Sequence, residues 1–337
     1  MKKTLIALAA VAATGAAFAQ SSVTLFGIVD LNVRNVKQGG ESLTSMSQDG
    51  IASSRLGFRG VEDLGGGMKA GFWLEAGLNP DTGTPAGVQF QRRSTVSLMG
   101  NFGEVRLGRD YTPTFWNHTI YDPFGTNGVG SSVNTFSTLG SGTSTLVRAN
   151  NSIGYFLPNF GGFSGQVMVS VKETKADNTP NEYAGLRLTY AAGPLSVAVA
   201  TAKEGATEGF TESFKRTNIG ASYDFGVVKP MAQYTIGKFG SAEVKHLLVG
   251  VVAPVGPGNI KAAYTRSDYN PAAGNGDANQ IAVGYDYNLS KRTAVYGTYS
   301  RLTNKNGGSA FGLSPNAAAQ TANGKSTGIE FGLRHAF

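Results

Sequence analysis

Apolar and polar side chains alternate with a period of two along most of the chain. Near its start Val23, Leu25, Gly27, Val29, Leu31 and Val33 oppose Thr24, Phe26, Ile28, Asp30, Asn32 and Arg34. The pattern recurs where Ile219, Ala221, Tyr223 and Phe225 oppose Asn218, Gly220, Ser222 and Asp224, and where Ile281, Val283, Tyr285 and Tyr287 oppose Gln280, Ala282, Gly284 and Asp286. At the other end Ile329, Phe331, Leu333, His335 and Phe337 share one face, and Gly328, Glu330, Gly332, Arg334 and Ala336 the other. Such alternation is the signature of strands with one greasy and one wet face, not of helical stripes.

The pattern predicts sixteen strands, near 22–34, 50–60, 68–79, 89–99, 103–109, 150–157, 163–173, 182–190, 194–202, 215–225, 228–238, 244–254, 258–268, 278–287, 292–302 and 327–337. Most have the ~9–11 residues with which a tilted strand crosses a bilayer. Short turns at 100–102, 191–194, 255–258 and 288–291 alternate with longer polar connectors at 35–49, 203–214 and 303–326. An even strand number with short turns at one rim and long loops at the other is the layout of an all-β, sixteen-stranded antiparallel transmembrane barrel. Tyr155 and Phe156, Tyr190, Tyr223 and Phe225, Tyr285 and Tyr287, and Phe337 fall at strand ends beside short turns, the height of an interfacial aromatic girdle. In a closed barrel the last strand pairs with the first, which makes Phe337 an interface anchor on the seam strand.

Composition narrows the class further. Charged residues are only 15%, against about 25% in soluble domains, and the 47 glycines are about twice the usual share. With no cysteine there is neither a disulfide framework nor a thiolate metal site, and no motif calls for a metal or cofactor. Met1-Lys2-Lys3, an apolar run from Thr4 to Ala13 and Ala17-Phe18-Ala19 read as a signal peptide over 1–19, cleaved before Gln20. Its removal takes the formal net charge from +7 to +5 and leaves 20–337 as a single exported barrel domain. The basic charges are spread over alternating strands and form no exposed basic face, so the chain is not read as a nucleic-acid binder.

Several arginines demand an aqueous interior. Arg55 and Arg59 share a face with Gly57, opposite Leu56 and Phe58. A charge on the lipid side at mid-depth costs about 2–4 kcal/mol, so both should point into the lumen. Arg106, between Val105 and Leu107, should do the same. Arg92 and Arg93 cannot both face inward on one strand unless it starts after Arg92, and counting from Val96 and Leu98 favours Arg93. The longest connector, about 110–149, is rich in Gly, Ser, Thr and Asn, and its formal charges are Asp110, Asp122 and Arg148, with His118 and Trp116 also present. Forty residues without a clear element of their own should be functional or disordered.

Five stretches, "SSVTLFGIVDLNV", "SRLGFRGVEDLGGGMKAGFWLE" (ending at Glu75), "FGEVRLGRDYTP", "NSIGYFLPNFGGFSG" and the terminal "GLRHAF", resemble in their order the general Gram-negative porins of beta-proteobacteria, in particular the anion-selective Omp32-type outer-membrane porins. The resemblance spans the whole exported part. It implies a homotrimer in outer-membrane lipid and lipopolysaccharide, a third loop folded inward as a constriction over 110–149, and a C-terminal Phe337 read by the barrel-assembly machinery. It also makes Arg92 the pore arginine that opens its strand, against the count that favours Arg93, and gives Arg148 as a further pore arginine.

The expected function is passive diffusion of small hydrophilic solutes, with small anions favoured by Arg55, Arg59, Arg92, Arg93, Arg106 and Arg148. In a narrow aqueous channel between low-dielectric walls, guanidinium fields are focused and lower the entry barrier for anions. Pairing of these arginines with Glu75, Glu104 or Asp110 would instead brace the wall. A substrate-specific porin would use Trp73, Trp116, Tyr111 and Tyr121 as an aromatic slide. A barrel enzyme would have to build a Ser-His-acid site on His118 or His246, and no neighbouring sequence marks a nucleophile. An adhesin would be expected to carry longer exposed loops.

Overall fold

A computed structural model describes residues 22–84, 88–171, 182–206, 212–274 and 276–337; the signal segment expected over 1–19 lies outside the described residues. Strands run in chain order as β1 (Ser22–Gln38), β2 (Glu41–Ser47), β3 (Arg55–Gly65), β4 (Met68–Gly77), β5 (Arg93–Gly100), β6 (Gly103–Tyr111), β7 (Arg148–Phe160), β8 (Phe163–Ser170), β9 (Tyr183–Ala192), β10 (Leu195–Glu204), β11 (Phe214–Tyr223), β12 (Lys229–Phe239), β13 (Ala242–Val255), β14 (Gly258–Tyr269), β15 (Ala278–Asn288), β16 (Thr293–Asn304) and β17 (Lys325–Ala336). Helix α1 (Pro113–Ile120) sits between β6 and β7.

These segments make sixteen staves. On one side of β1, β2 pairs with its later half and β3 with its earlier half, so the two are parts of one stave. On the other side β17 pairs antiparallel with β1, from Ile28 opposite Ala336 to Lys37 opposite Thr327. Phe337 completes the seam, its N–H donating to the Gly27 carbonyl and its carbonyl accepting from the Gly27 N–H, both at 3.0 Å. Among the described residues every stave has a neighbour on both sides, which suits lipid, where an unpaired amide is expensive.

Several predicted boundaries differ, among them the strand expected at 89–99, which begins only at Arg93, and two near the start of the chain. The connector expected at 35–49 is largely strand: β1 continues to Gln38 and turns at once into β2. Val36, Leu43 and Met46 are scattered there among Asn35, Lys37, Ser42, Thr44 and Ser45 without a continuous apolar row, so apolar alternation could not mark it. The strand expected at 50–60 begins only at Arg55. Residues 48–54 bow out of the ladder instead, held by Asp30, whose carboxylate accepts from the N–H groups of Ile51 (3.0 Å) and Ala52 (2.8 Å).

Across the staves the outward rows are apolar and the inward rows polar. In β11, for example, Ile219 is 52% exposed while Asn218 is 1% exposed. Aromatic pairs mark the short-turn rim on the outside, with Phe163 against Tyr190 at 4.7 Å and Tyr223 against Phe225 at 4.5 Å between ring centres. Phe156, expected in that girdle, faces inward, with the Arg106 guanidinium 3.9 Å above its ring.

The segment between β6 and β7 crosses the interior. It touches the inward side chains of β9, β10, β11, β12, β13, β14, β15 and β17 in turn, which a loop leaving the wall at β6 can do only from inside. Asn117 donates to Asn218 at 2.8 Å and accepts from Arg187 at 2.9 Å, while its carbonyl accepts from Gln233 at 3.0 Å. Tyr121 bonds Ser196 at 2.9 Å, Thr135 meets His246 at 3.0 Å and Thr265 at 3.3 Å, and Gln280 donates to the Ser131 carbonyl at 3.0 Å. Glu330 of β17 accepts from the Val129 N–H at 3.2 Å. Two wall glycines admit the loop. A Cβ at Gly220 would run into the Tyr121 ring, and one at Gly250 would lie 2.5 Å from Pro123.

Candidate functional site: an arginine-lined passage

The site lies between α1 with its following turn and the wall formed by β3 to β7. The cavity there is about 450 Å³ and is lined by Arg55, Trp73, Glu75, Arg92, Arg93, Tyr111 and Arg148 on the wall side. Phe115, Trp116, Thr119, Thr126 and Asn127 line it on the loop side. Four guanidinium groups therefore share the lining with one carboxylate, and the loop contributes no formal charge. The long connector is shorter than expected, since β6 continues through Tyr111 and β7 starts at Arg148.

Local structure explains the placement. Thr112 caps α1 by accepting from the Phe115 N–H at 3.4 Å, with Pro113 at the first helical position where its missing donor is harmless. That helix carries Phe115 and Trp116 towards Tyr111, whose ring lies 5.5 Å and 5.6 Å from theirs. Arg92 and Arg93 both reach the cavity, because the strand starts at Arg93 and Arg92 still belongs to the connector. Arg92 and Arg93 therefore stand side by side at the lining, one on each side of the start of β5.

Hydrogen bonds hold the guanidinium groups apart yet aimed at one space. Glu75 accepts from Arg92 Nε at 2.6 Å, from Arg55 at 3.4 Å and from the Trp73 indole at 3.2 Å. Tyr111 Oη accepts from Arg92 at 3.1 Å and from Arg148 at 2.7 Å, and Arg148 also donates to the Arg92 carbonyl at 2.7 Å. Towards the short-turn rim the basic track continues. Trp73 lies between Arg93 (4.5 Å from the ring centre) and Arg59 (5.1 Å), and Asp110 takes Arg106 at 2.6 Å and Arg93 at 3.6 Å. Glu104 pairs with Arg106 at 2.8 Å. Bracing and lining are thus divided: Arg106 is engaged by two carboxylates below the cavity, whereas Arg55, Arg92 and Arg148 share Glu75 and Tyr111 around it.

The expected loop residues divide as well. Trp116 faces the cavity and is 42% exposed. Asp110 is a buried residue of β6 rather than of the loop. Asp122 is buried within the loop, accepting from Ser132 Oγ at 2.7 Å and from the N–H groups of Phe124, Thr126 and Ser132. Burial raises its carboxyl above the ordinary value, and these hydrogen bonds pull the other way. His118 is also buried, 2.9 Å from Ser132 Oγ. Burial pushes its imidazole well below the usual value, with His246 and Arg216 adding to the effect. Neither Asp122 nor His118 lines the passage.

Ser132, His118 and Asp122 are joined in the wrong order for nucleophile activation. Because Ser132 gives its proton to Asp122, His118 Nε2 must donate to the hydroxyl and cannot accept from it. Its Nδ1 has no partner among the described residues. The wall residues that dock the loop escaped sequence reasoning. Arg187, Asn218, Gln233 and the buried pair of Arg216 and Glu204 (2.7 Å) look in sequence like any inward polar positions.

A closed sixteen-stave barrel with an apolar exterior and a charged aqueous passage narrowed by an internal loop defines an outer-membrane diffusion channel. The chain belongs to the Gram-negative porin family, whose model matches residues 4–307. It is 44% identical to outer membrane porin protein 32 of Delftia acidovorans over the full length of both chains, and 30% identical to an outer membrane porin protein of Bordetella pertussis, again over the full length of both. Among solved structures it is similar to the anion-selective porin from Comamonas acidovorans, with a TM-score of 0.87 and 40% identity over 94% of this chain and 100% of that one. The protein is a porin of the Gram-negative outer membrane.

Proposed function

We propose that this porin favours small anions. The observation that carries the reading is the lining itself: Arg55, Arg92, Arg93 and Arg148 against the single carboxylate of Glu75, across from an uncharged loop surface. Arginine stays protonated at any physiological pH, and its fork can pass a carboxylate or phosphate from one group to the next. Arg59, beside Trp73, extends the same field towards the short-turn side, where Arg106 is offset by Glu104 and Asp110. The name of the Comamonas acidovorans porin, which is anion-selective, supports the same reading for this chain. The proposal includes a homotrimer, a leader over 1–19 removed on export, recognition of the Phe337 strand by the assembly machinery, and no catalytic activity.

The test is the zero-current potential across a planar bilayer under a KCl gradient. Chloride preference that shrinks as the Debye length falls from about 10 Å at 0.1 M to about 3 Å at 1 M supports the proposal. Cation preference at low salt overturns it.

A second reading, a defined site for one anion or sugar, is favoured by the ring cluster of Tyr111, Phe115 and Trp116 beside the arginines. Saturable block of chloride current by one solute, and not by others of its size and charge, would separate the two.

A further inference from the structure

The outer surface carries a basic row that the channel does not use. Strand register sets Lys203 of β10 opposite Lys215 of β11, and Lys215 opposite Lys238 of β12. All three are exposed on the outward face, at the long-loop ends of their strands. Like charges directly opposite one another repel, so the row calls for a counter-charge. Glu243 supplies part of one, pairing with Lys238 at 2.7 Å and with Lys245 at 3.4 Å. Lys203 and Lys215 form no ion pair among the described residues.

Immediately below the row the wall is hollowed. A groove of about 560 Å³ has Val167, Leu186 and Ile236 on its floor, with Val169 and the three lysines at its upper edge. Ala184 lies opposite Lys203, so no bulky side chain fills the space beside that ammonium group. Thr201 and Thr217 hydrogen-bond each other at 2.8 Å across the groove. That bond uses one of their two hydroxyl protons and leaves the other free to donate outward.

A ligand that satisfies both halves must be an amphiphile. Its anionic groups belong at the lysines and its hydrocarbon against Val167, Leu186 and Ile236, which lie two residues deeper in the register, about 7 Å along a strand. The row crosses two strand spacings, about 10 Å, which accommodates more than one phosphate. Long loops mark the external rim of such barrels, so the groove faces the outer leaflet. We propose that it is a binding site for a bis-phosphorylated, multiply acylated glycolipid of that leaflet, with Lys203, Lys215 and Lys238 holding the phosphates and the Val167–Leu186–Ile236 floor taking acyl chains. This site is separate from the passage and does not depend on its selectivity.

The full chain, folded and stripped of lipid in detergent, would be titrated with bis-phosphorylated lipid A and bound copies counted by native mass spectrometry. The double variant K203Q/K215Q should weaken binding about tenfold, while K291Q, at the short-turn rim, should leave it unchanged. Both changes are at exposed positions, and the heat-shifted migration of the folded barrel checks that each variant is intact. Removing both phosphates from the lipid should cost about as much as removing the two lysines. Equal binding by K203Q/K215Q, equal binding of the dephosphorylated lipid, or complete displacement by excess inorganic phosphate would each overturn the assignment, the last by showing a free-anion site with no use for the apolar floor.

Discussion

Arg92, just before β5, and Arg148, where the long connector returns to the wall, donate to the same phenol oxygen: Tyr111 Oη lies 3.1 Å from one guanidinium and 2.7 Å from the other. Two cations that would repel are thereby fixed side by side at the lining, with the Tyr111 ring 4.2 Å beneath Arg148. The expected result of Tyr111→Phe is a channel that keeps its anion preference, because both charges remain, but shows a broader spread of single-channel conductance. Loss of selectivity in the same recordings would mean that the phenol does more than position its neighbours.

Charge removal at the lining should be graded. A unit charge about 5–8 Å from a permeating ion contributes about 0.5–1 kcal/mol in a water-like medium, a factor of about two to five in permeability ratio. Arg55→Gln, Arg92→Gln and Arg148→Gln should each reduce the chloride-over-potassium ratio by about that much at low salt. Glu75→Gln should raise it, since Arg55 and Arg92 lose their shared carboxylate. Zero-current potentials of the four variants check both signs, and a fall in chloride preference for Glu75→Gln would show that its pairing holds the arginines in place.

The wall was legible in the sequence because a barrel in lipid separates apolar from polar positions strand by strand. Ile219 and Asn218, or Phe331 and Glu330, declare their faces without help. Legibility stopped where that solvent boundary stops. Lys37 lies opposite Ser42 and Asn35 opposite Thr44, so the outward face of the β1–β2 hairpin has no continuous apolar row to announce it. Arg92 and Arg93 could not be resolved because the start of β5 is set by the connector's pairing with Glu75, not by a local pattern. The inward course of the loop rests on Asn117 meeting Asn218 and Gln233, and long-range amide pairs leave no periodic trace. Phe156 misled because an aromatic at a strand end serves equally well as a lipid anchor or as a platform for Arg106.

The loop should be latched chiefly by one buried ion pair. Arg216 bonds Glu204 at 2.7 Å, the Thr114 hydroxyl at 2.6 Å and the Leu146 carbonyl at 2.8 Å, so it grips the loop near both its entry and its exit. Removing one partner strands the other in a dry site, at a cost of about 3–5 kcal/mol, whereas replacing both with apolar residues is often close to neutral. Arg216→Met should therefore produce flickering current and closure at lower voltage, and the double variant Glu204→Leu/Arg216→Met should recover part of the steady open level. If the single variant conducts as steadily as the parent, the remaining loop-to-wall hydrogen bonds are sufficient.

Acid should loosen the loop through His118. Docked, its imidazole is buried and its proton affinity falls well below the ordinary value, with His246 5.6 Å away between ring centres and Arg216 adding repulsion. Released into the lumen, the same ring would titrate near pH 6.5. The undocked loop thus binds the proton more tightly, so docking is fully favoured above about pH 6.5 and weakens steadily as pH falls towards the depressed value. Asp122 acts in the opposite sense: burial raises its carboxyl, so protonation favours the docked form and offsets the histidine only as that carboxyl takes up its proton. Brief closures recorded from neutral pH down to about pH 5 should become more frequent in the parent channel. In His118→Gln, which keeps a donor for Ser132 but cannot be charged, they should increase much less. An unchanged acid response in that variant would assign it to the other buried ring, His246, or to the lining itself.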